Sequence, residues 1–168
     1  VSRWNPTTEF TIASIAAFQP FVVSGEVQPP ANPLVIPQFC LRFPDIDNVG
    51  ITGHYVGFIT MGQHAFVEPK KYDVNKYLRD HLTWIQEGMG IELKELTVHE
   101  DAWAGGGNLG PSVEFFSGGL EISNQVYMQY ENTPSGLKEL KIKVLDMGQG
   151  QERASWFTQG KSISYETT

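Results

Sequence analysis

The 168-residue sequence predicts an α+β domain built around an antiparallel β-sheet. Strand-like runs follow one another along the chain and helical patterns occupy only two places, so we expect helices to flank the sheet. The segment Glu121–Tyr130 interleaves polar residues with Ile122, Val126 and Met128, which is typical of an antiparallel strand with one lined face. The predicted strands are Gln38–Phe43, Tyr55–Met61, Leu96–His99, Val113–Phe116, Gly119–Tyr130 and Leu137–Leu145.

Two segments carry the spacing and the end signals of helices. In the first, Asp73–Met89, the aspartate can cap the start, and apolar residues recur at helical spacing. The second runs from near Gln151 to near Thr158, and Gly160 is expected to end it. The proline-rich segment Glu26–Pro37 is predicted to be an extended loop, because proline removes backbone donors and holds the chain open.

Composition excludes several classes of protein. Apolar residues make up 40% of the chain, which rules out a disordered composition, and no apolar run approaches a membrane span, so we expect no membrane partner. The net charge of -7 disfavours broad attraction to nucleic acid. The single cysteine, Cys40, cannot form an internal disulfide, and this is compatible with a cytoplasmic setting. The four histidines and Cys40 show no zinc spacing, and no phosphate-binding GxxxxGK[ST] loop occurs.

A first candidate site comprises the segments Leu41–Asp45 and His54–Phe58. Two strands joined by a polar, glycine-containing loop form a hairpin. Arg42 on the first strand offers a planar charged group suited to phosphate or carboxylate, and Phe58 on the second offers a flat face for a base. The alternative is that Arg42 is a surface residue and Phe58 a core residue.

A second candidate site is the segment Asp146–Arg153, DMGQGQER. Two glycines followed by an acid and an arginine mark a strand that leads into a helix. Glycine allows close approach of a ligand to the backbone, and the helix start favours an anion. A third glycine and a surrounding βαβ unit are absent, so the segment is not a dinucleotide fingerprint. The alternative is a tight turn followed by an arginine on the helix surface.

A third candidate is the glycine-rich segment Trp103–Pro111. Its glycines cost backbone entropy on ordering, and a loop with that cost often needs close approach to a ligand. A flexible connector explains the same composition equally well. Trp103 is expected either to form the wall of a small pocket or to pack in the core.

Together these segments resemble the class II aminoacyl-tRNA synthetases, specifically the archaeal-type alanyl-tRNA synthetases. The resemblance extends over nearly the whole chain, and long runs in a fixed order are more specific than any single motif. The runs, in order, are SRW, FTIASI, PPANPLVI, RFPDIDNVG, HAF, AWAGGGNLGP, VYMQY and DMGQGQERASWFTQG.

The resemblance implies a catalytic core that uses ATP and Mg²⁺ to activate a small amino acid, alanine foremost, as an aminoacyl-adenylate. Arg42 matches the arginine that contacts the α-phosphate, and Phe58 and Arg153 match the pair that encloses adenine. His54 and Gly150 match further nucleotide-site positions, and the two arginines are the catalytic residues that the resemblance implies.

The resemblance also implies an amino-acid pocket. Asp146 matches the aspartate that binds the substrate amino group, and Glu121 is the candidate protein ligand of magnesium. The residues that match positions around the small side chain are Trp103, Asn124, Val126 and Gly148. We therefore expect Arg42 and Asp146 to lie on the same face of the sheet.

The chain is expected to be one adenylate-forming domain over residues 1–168, without the motif 1 helix or the tRNA-binding, editing and C-terminal domains. A tRNA or another acceptor would then be reached only through absent or separate domains. Ile59, Met147 and Gln151 depart from the common glutamate, threonine and leucine of the family. The alternatives are a degenerate or free-standing relative that acts as a binding or regulatory module or loads a non-tRNA acceptor, and a subunit that depends on a partner for the missing helix.

Overall fold

The computed structural model describes residues 10–167, and within that range it forms a six-stranded antiparallel sheet. The strands are β1 (Leu34–Leu41), β2 (Gly57–Val67), β3 (Leu96–Gly105), β4 (Asn108–Ser117), β5 (Leu120–Thr133) and β6 (Gly136–Gly150). Their spatial order is β1-β2-β6-β5-β4-β3, and every neighbouring pair is antiparallel. The predicted fold class is confirmed, while the SRW run lies outside the described residues.

Helices occupy the two predicted places, and short helical turns connect the strands. The helical segments within residues 10–167 are α1 (Val74–Thr83), α2 (Gln151–Gln159), π-helical turns at Gln19–Val23 and Trp84–Gly88, and 3-10 turns at Ser14–Ala17, Ile46–Asn48, Pro69–Lys71, Leu93–Glu95 and Ser164–Glu166. The Asp73 carboxylate accepts a hydrogen bond from the Lys76 backbone N–H at 3.0 Å and so caps α1 as predicted. Gly160 ends α2 with a φ of 60°, a left-handed conformation that suits glycine.

Strand β1 begins inside the segment that was predicted to be a loop. Pro37 lies within the strand and is paired with Met61 of β2. The prediction was wrong because β1 is an edge strand, where a missing backbone donor faces outward and costs no ladder hydrogen bond. At its other end the strand stops at Leu41, so Arg42 lies one residue beyond β1 rather than on it.

The glycine-rich segment forms a β-hairpin rather than a flexible connector. Gly106 and Gly107 form the two-residue turn between β3 and β4, with φ values of 58° and 84°. Positive φ at both central positions defines the hairpin turn that best matches strand twist, and it explains the Gly-Gly pair. Pro111 is accommodated inside the sheet because the β4–β5 register shifts between Leu109 and Ser112.

The two faces of the sheet are covered differently. Helix α1 and the turn after it pack on one face, where Ile85 and Phe115 are fully buried. On the opposite face, the turns between residues 14 and 23 cover one half of the sheet, and Ile15, Phe66 and Met128 form the core there. The remainder of this second face is left open and forms the cavity described below.

A buried histidine connects α1 to the sheet. The His81 imidazole forms a 2.8 Å hydrogen bond between its Nε2 atom and Oγ of Ser123, and its ring packs on Phe115 at 4.7 Å between centroids. Burial lowers the pKa of His81 from the ordinary 6.5 to about 4, because the charged imidazolium loses hydration there. The folded protein therefore keeps this imidazole neutral at neutral pH.

This pKa makes stability depend on pH in a defined direction. Between pH 6.5 and 4 the unfolded state binds a proton at His81 that the folded state excludes, so stability is full above 6.5 and is lost as pH falls. We expect the group to remove about 3 kcal/mol of unfolding free energy between pH 7 and pH 4. Denaturant unfolding of wild type and His81→Gln across this range isolates the effect, since all other groups are shared. Parallel pH profiles for the two proteins would contradict the assignment.

Candidate active site

The register of three central strands places the predicted site residues on one face. On β6, Asp146 pairs with Val126 of β5, and Gly148 pairs with Asn124 of the same strand. Cross-strand partners in an antiparallel sheet point to the same side, and residues two apart on one strand do so as well. On the opposite flank of β6, Gly150 pairs with Thr60 of β2. The alternation therefore directs all of these residues toward the open half of the second face.

A cavity of about 460 Å³ lies on this face, a volume within the range of small-molecule sites. All the site residues predicted from the sequence line it. They are Arg42, His54, Phe58, Trp103, Glu121, Asn124, Val126, Asp146, Gly148, Gly150 and Arg153. The expectation that Arg42 and Asp146 share one face of the sheet is thus confirmed.

The segment just after residue 10 also contributes to the cavity, which the sequence motifs did not indicate. Ile12, Ala13 and Ser14 line the cavity. The Thr11 carbonyl accepts a hydrogen bond from the Leu41 N–H at 2.9 Å, and this bond anchors the segment beside the end of β1. The contact joins residues about thirty positions apart, so no local pattern could signal it.

The Arg42 side chain contacts both the segment after residue 10 and strand β2. Its Nε donates to the Ile12 carbonyl at 2.9 Å, and its guanidinium carbon lies 5.0 Å from the centroid of the Phe58 ring. The second contact is within the distance of a cation–π interaction. The Arg42 N–H donates to the Val56 carbonyl, so the backbone remains paired with the second arm of the hairpin. A cation and an aromatic face are therefore presented together at this end of the cavity.

Arg153, in the first turn of α2, is held by three acceptors. Its Nη1 donates to the Glu121 carbonyl at 3.0 Å and to the Glu121 carboxylate at 3.2 Å, and its Nη2 donates to the Gly53 carbonyl at 3.0 Å. The guanidinium thereby links α2 to β5 and to the hairpin loop. This network fixes the plane of a permanently charged group at the edge of the cavity.

Glu121 faces the cavity because of a bulge in β5. The β4–β5 register shifts between Phe115 and Phe116, which pair with Ser123 and Glu121 respectively. Without the shift, Glu121 and Asn124 would lie on opposite faces, since they are three positions apart. Instead the Asn124 amide donates to the Glu121 carboxylate at 3.0 Å.

The carboxylate of Glu121 is a modest candidate for a metal ligand. Its two oxygens already contact Asn124 and Arg153. Within residues 10–167, no group of three or more histidine, cysteine, aspartate or glutamate residues is arranged to hold a metal. A lone carboxylate fits magnesium that is bound mainly by nucleotide phosphates, the usual mode for this ion, and does not fit an all-protein cage.

Glu152 is a site residue that sequence reasoning missed. Both of its carboxylate oxygens accept from the Ile59 backbone N–H, at 3.0 and 3.1 Å. The contact ties the start of α2 to β2 next to Phe58. The acid after the second glycine was visible in the sequence, but its partner is a backbone group 93 residues away, which no side-chain pattern reveals.

The opposite end of the cavity is more enclosed. Asp146 is 8% exposed, and the ring of the fully buried His64 lies beside it, with 3.2 Å between His64 Nδ1 and Asp146 Oδ1. Trp103 forms a wall, and Gly105 leaves room for the Trp103 ring, because a Cβ at that position would lie 2.6 Å from a ring carbon. The arrangement gives one buried carboxylate in a narrow, partly apolar pocket.

An antiparallel sheet with an aromatic ring and a buried carboxylate on its open face, and two arginines from flanking segments in the same cavity, is the arrangement expected of a class II synthetase catalytic domain. The chain belongs to that family: the model described as tRNA synthetases class II (A) matches residues 1–168. Within residues 10–167, no helix combines the length and apolar character needed to cross a membrane.

Curated relatives confirm the resemblance to archaeal alanyl-tRNA synthetases. The chain is 56% identical to the alanine–tRNA ligase of Methanocella arvoryzae, with all of this chain and 20% of that protein covered. It is 46% identical to the alanine–tRNA ligase of Sulfurisphaera tokodaii, over 95% of this chain and 18% of that protein. The alanine–tRNA ligase of Methanopyrus kandleri is 44% identical, over 99% of this chain and 19% of that protein. The chain thus spans about a fifth of the length of these relatives.

Solved structures share the fold at low sequence identity. The pyrrolysyl-tRNA synthetase of Desulfitobacterium hafniense superposes with a TM-score of 0.60 and 14% identity, covering 94% of this chain and 53% of that one. A second structure of a pyrrolysyl-tRNA synthetase from the same organism gives a TM-score of 0.53 and 16% identity, covering 82% of this chain and 45% of that one. At such identities the likeness concerns the fold alone.

Two cross-strand glycines on the second face of the sheet are predicted to differ in how well they tolerate replacement by alanine. Gly62 pairs with Gly148 across β2 and β6. A Cβ on Gly62 would lie 2.6 Å from Ser14 Cβ and 2.7 Å from His64 Nε2, whereas a Cβ on Gly148 would come no closer than 3.3 Å, to Asn124 Oδ1. We expect Gly62→Ala to destabilise the fold by about 1–3 kcal/mol and Gly148→Ala by clearly less. Equal denaturant midpoints for the two variants would refute this difference.

Proposed function

We propose that this chain carries the active site for ATP-dependent activation of a small amino acid, with alanine the foremost substrate, to an aminoacyl-adenylate and pyrophosphate. The observation that carries the proposal is the composition of one cavity. It presents Arg42 and Arg153 for phosphate and base, the Phe58 ring for stacking, and the buried Asp146 carboxylate for an ammonium group. The family and the alanine–tRNA ligase relatives support the same reaction.

The proposed chemistry requires no covalent intermediate with the protein. A carboxylate oxygen of the amino acid forms a bond to the α-phosphorus of ATP, and the bond from that phosphorus to the bridging oxygen of pyrophosphate breaks. The electron pair leaves with pyrophosphate. The protein then contributes positioning of the two substrates and stabilisation of the charge that develops on the phosphoryl oxygens.

The residues at the arginine end of the cavity would bind the nucleotide. Arg42 donates to the α-phosphate, and its present partners, the Ile12 carbonyl and the Phe58 ring, are contacts that a phosphate can replace. Adenine stacks between Phe58 and Arg153, whose guanidinium plane is already fixed by Glu121 and the Gly53 carbonyl. The cavity residues His54 and Gly150 complete the nucleotide site.

Magnesium would be held by the ATP phosphates, with Glu121 as the candidate protein ligand. The ion would neutralise phosphate charge. To contribute an oxygen, the Glu121 carboxylate must share or release one of its contacts to Asn124 and Arg153.

The enclosed end of the cavity would select a small amino acid. Asp146 pairs with the ammonium group in a partly desolvated position, where such a charge needs a partner. Trp103 excludes larger side chains, while Asn124, Val126 and Gly148 complete the wall. A pocket of this kind rejects large side chains strongly and smaller ones poorly, so glycine is the competitor to test first.

The acceptor of the activated amino acid is expected to lie beyond this domain. The chain spans about a fifth of the alanine–tRNA ligases that it matches. Its net charge of -7 disfavours broad contact with nucleic acid. We propose that tRNA or another acceptor is recruited by other domains or chains, in the cytoplasm where ATP is available.

The decisive experiment is amino-acid-dependent exchange of labelled pyrophosphate into ATP, measured with each small amino acid. The proposal expects exchange with alanine that exceeds exchange with glycine and serine. If ATP and the amino acid bind but no exchange occurs, the adenylation proposal is wrong and the chain is a binding or regulatory module instead.

Replacement of Arg42 is predicted to impair ATP use selectively. Arg42→Ala removes a charge-assisted contact to phosphate and should weaken ATP binding by about 1.5–3 kcal/mol. Arg79→Ala is the matched control, because Arg79 is exposed on α1, which covers the other face of the sheet. The measurement is the KM for ATP in pyrophosphate exchange. Equal values for two folded variants would remove Arg42 from the nucleotide site.

Replacement of Asp146 is predicted to impair amino-acid binding selectively. Asp146→Asn keeps the shape but removes the charge, so affinity for alanine should fall at least tenfold, on the order of 1.4 kcal/mol or more. ATP affinity should change little, because the amide does not reach the phosphates. Calorimetric titration of both proteins with alanine, glycine and serine measures the change. A lower melting temperature with unchanged alanine affinity would instead assign Asp146 a structural role.

A further inference from the structure

The fully buried His64 has no assigned role, and it lies directly beside the proposed ammonium-binding carboxylate. His64 pairs with Asp146 across β2 and β6, so the two side chains point to the same side of the sheet. The distance from His64 Nδ1 to Asp146 Oδ1 is 3.2 Å. Neither His64 ring nitrogen completes a hydrogen bond within the described residues. A buried polar group without a partner is uncommon and calls for an explanation.

The surroundings of His64 restrict what the imidazole can do. Its ring packs against Phe18 and Phe66, with centroid distances of 5.5 and 6.4 Å. In the part of the chain that the structure describes, Asp146 is its only partner at ion-pair distance. The ring is 0% exposed, so solvent cannot satisfy its nitrogens directly. The one charged group within reach is therefore the carboxylate of Asp146.

We propose that His64 is a positioning residue for Asp146, an inference that rests on the proposed function. In this arrangement the ring proton is on Nδ1, and the Nδ1–H group donates a hydrogen bond to Oδ1 of Asp146. The distance already suits a hydrogen bond, and a small rotation of the ring or the carboxylate supplies the alignment without backbone movement. With Oδ1 held from below, Oδ2 is directed toward the cavity and receives the ammonium group of the amino acid.

The choice of partner has a chemical consequence. Within residues 10–167, no lysine or arginine lies at ion-pair distance from Asp146. A cationic partner would compete with the substrate ammonium for the same charge. An imidazole N–H donor orients the carboxylate, and no lysine or arginine competes with the amino acid for its charge.

Isosteric variants of His64 distinguish positioning from packing. The asparagine amide can reproduce the donor at Nδ1, whereas the glutamine amide reaches only the place of Nε2. We expect His64→Asn to keep the KM for alanine within about threefold of wild type. His64→Gln and His64→Leu should raise it about tenfold, with the KM for ATP unchanged. In the Asp146→Asn background, His64→Leu should have no further effect on the KM for alanine.

His81→Leu is the matched control, because it also removes a fully buried imidazole, on the face of the sheet covered by α1. It should lower stability without raising the KM for alanine. If His64→Asn, His64→Gln and His64→Leu share one KM for alanine, or if KM rises for alanine and ATP together, His64 only packs the core and the proposal is wrong.

A readout that needs no activity separates this inference from the proposed function. Nitrogen-15 NMR of histidine-labelled protein reports which ring nitrogen carries the proton. We expect the Nδ1–H form at His64 and a shift of that resonance in Asp146→Asn. An Nε2–H form overturns the positioning role even if the enzyme is active. The Nδ1–H form without alanine-dependent exchange supports the pairing and refutes the proposed function instead.

Discussion

The site depends on the register of β6 between β5 and β2. Because side chains alternate along a strand, Asp146, Gly148 and Gly150 face the cavity while Leu145 and Met147 face the core under α1. A slip of one residue would put a leucine and a methionine into the cavity and move the aspartate into the apolar core under α1. Pairing with β5 along most of β6, and with β2 over Lys143–Gly150, holds this register. The chemistry of the site is therefore specified by the same hydrogen bonds that form the sheet.

Glycines on this face contribute open volume to the cavity. Gly148 and Gly150, two positions apart on β6, both line the cavity, so this patch of its floor has no side chains. Ser14 of the covering segment lies against Gly62 and closes the floor from the side of the first turns. The glycines of β6 thus keep the cavity floor free of side chains, whereas Gly106 and Gly107 form a hairpin turn. Glycine content alone does not separate these two uses.

Local signals predicted much of this fold, and nonlocal contacts account for what they missed. The Asp73 cap, the Gly160 stop and the strand leading into α2 follow from neighbouring residues, and the sequence order of the family motifs located the site. The bulge that turns Glu121 toward the cavity depends on pairing with β4, which no local pattern in β5 reveals. His64 was overlooked because its significance arises only when β6 brings Asp146 beside it. Edge position, which permits Pro37 in β1, is likewise known only from the assembled sheet.

The two ends of the cavity are built in different ways, and this sets how each can change. The carboxylate end lies on paired strands, and Asp146 is almost fully buried there. Because these residues are fixed when the sheet forms, the entropy cost of ordering them is incurred on folding rather than on binding. The arginine end is built from residues beyond strand ends: Arg42 follows β1 and is exposed, and Arg153 reaches to the loop at Gly53. Departures from the family pattern at Ile59 and Gln151 fall beside this second end. Because Glu152 holds the Ile59 backbone rather than its side chain, replacement of the Ile59 side chain leaves that tie between α2 and β2 intact.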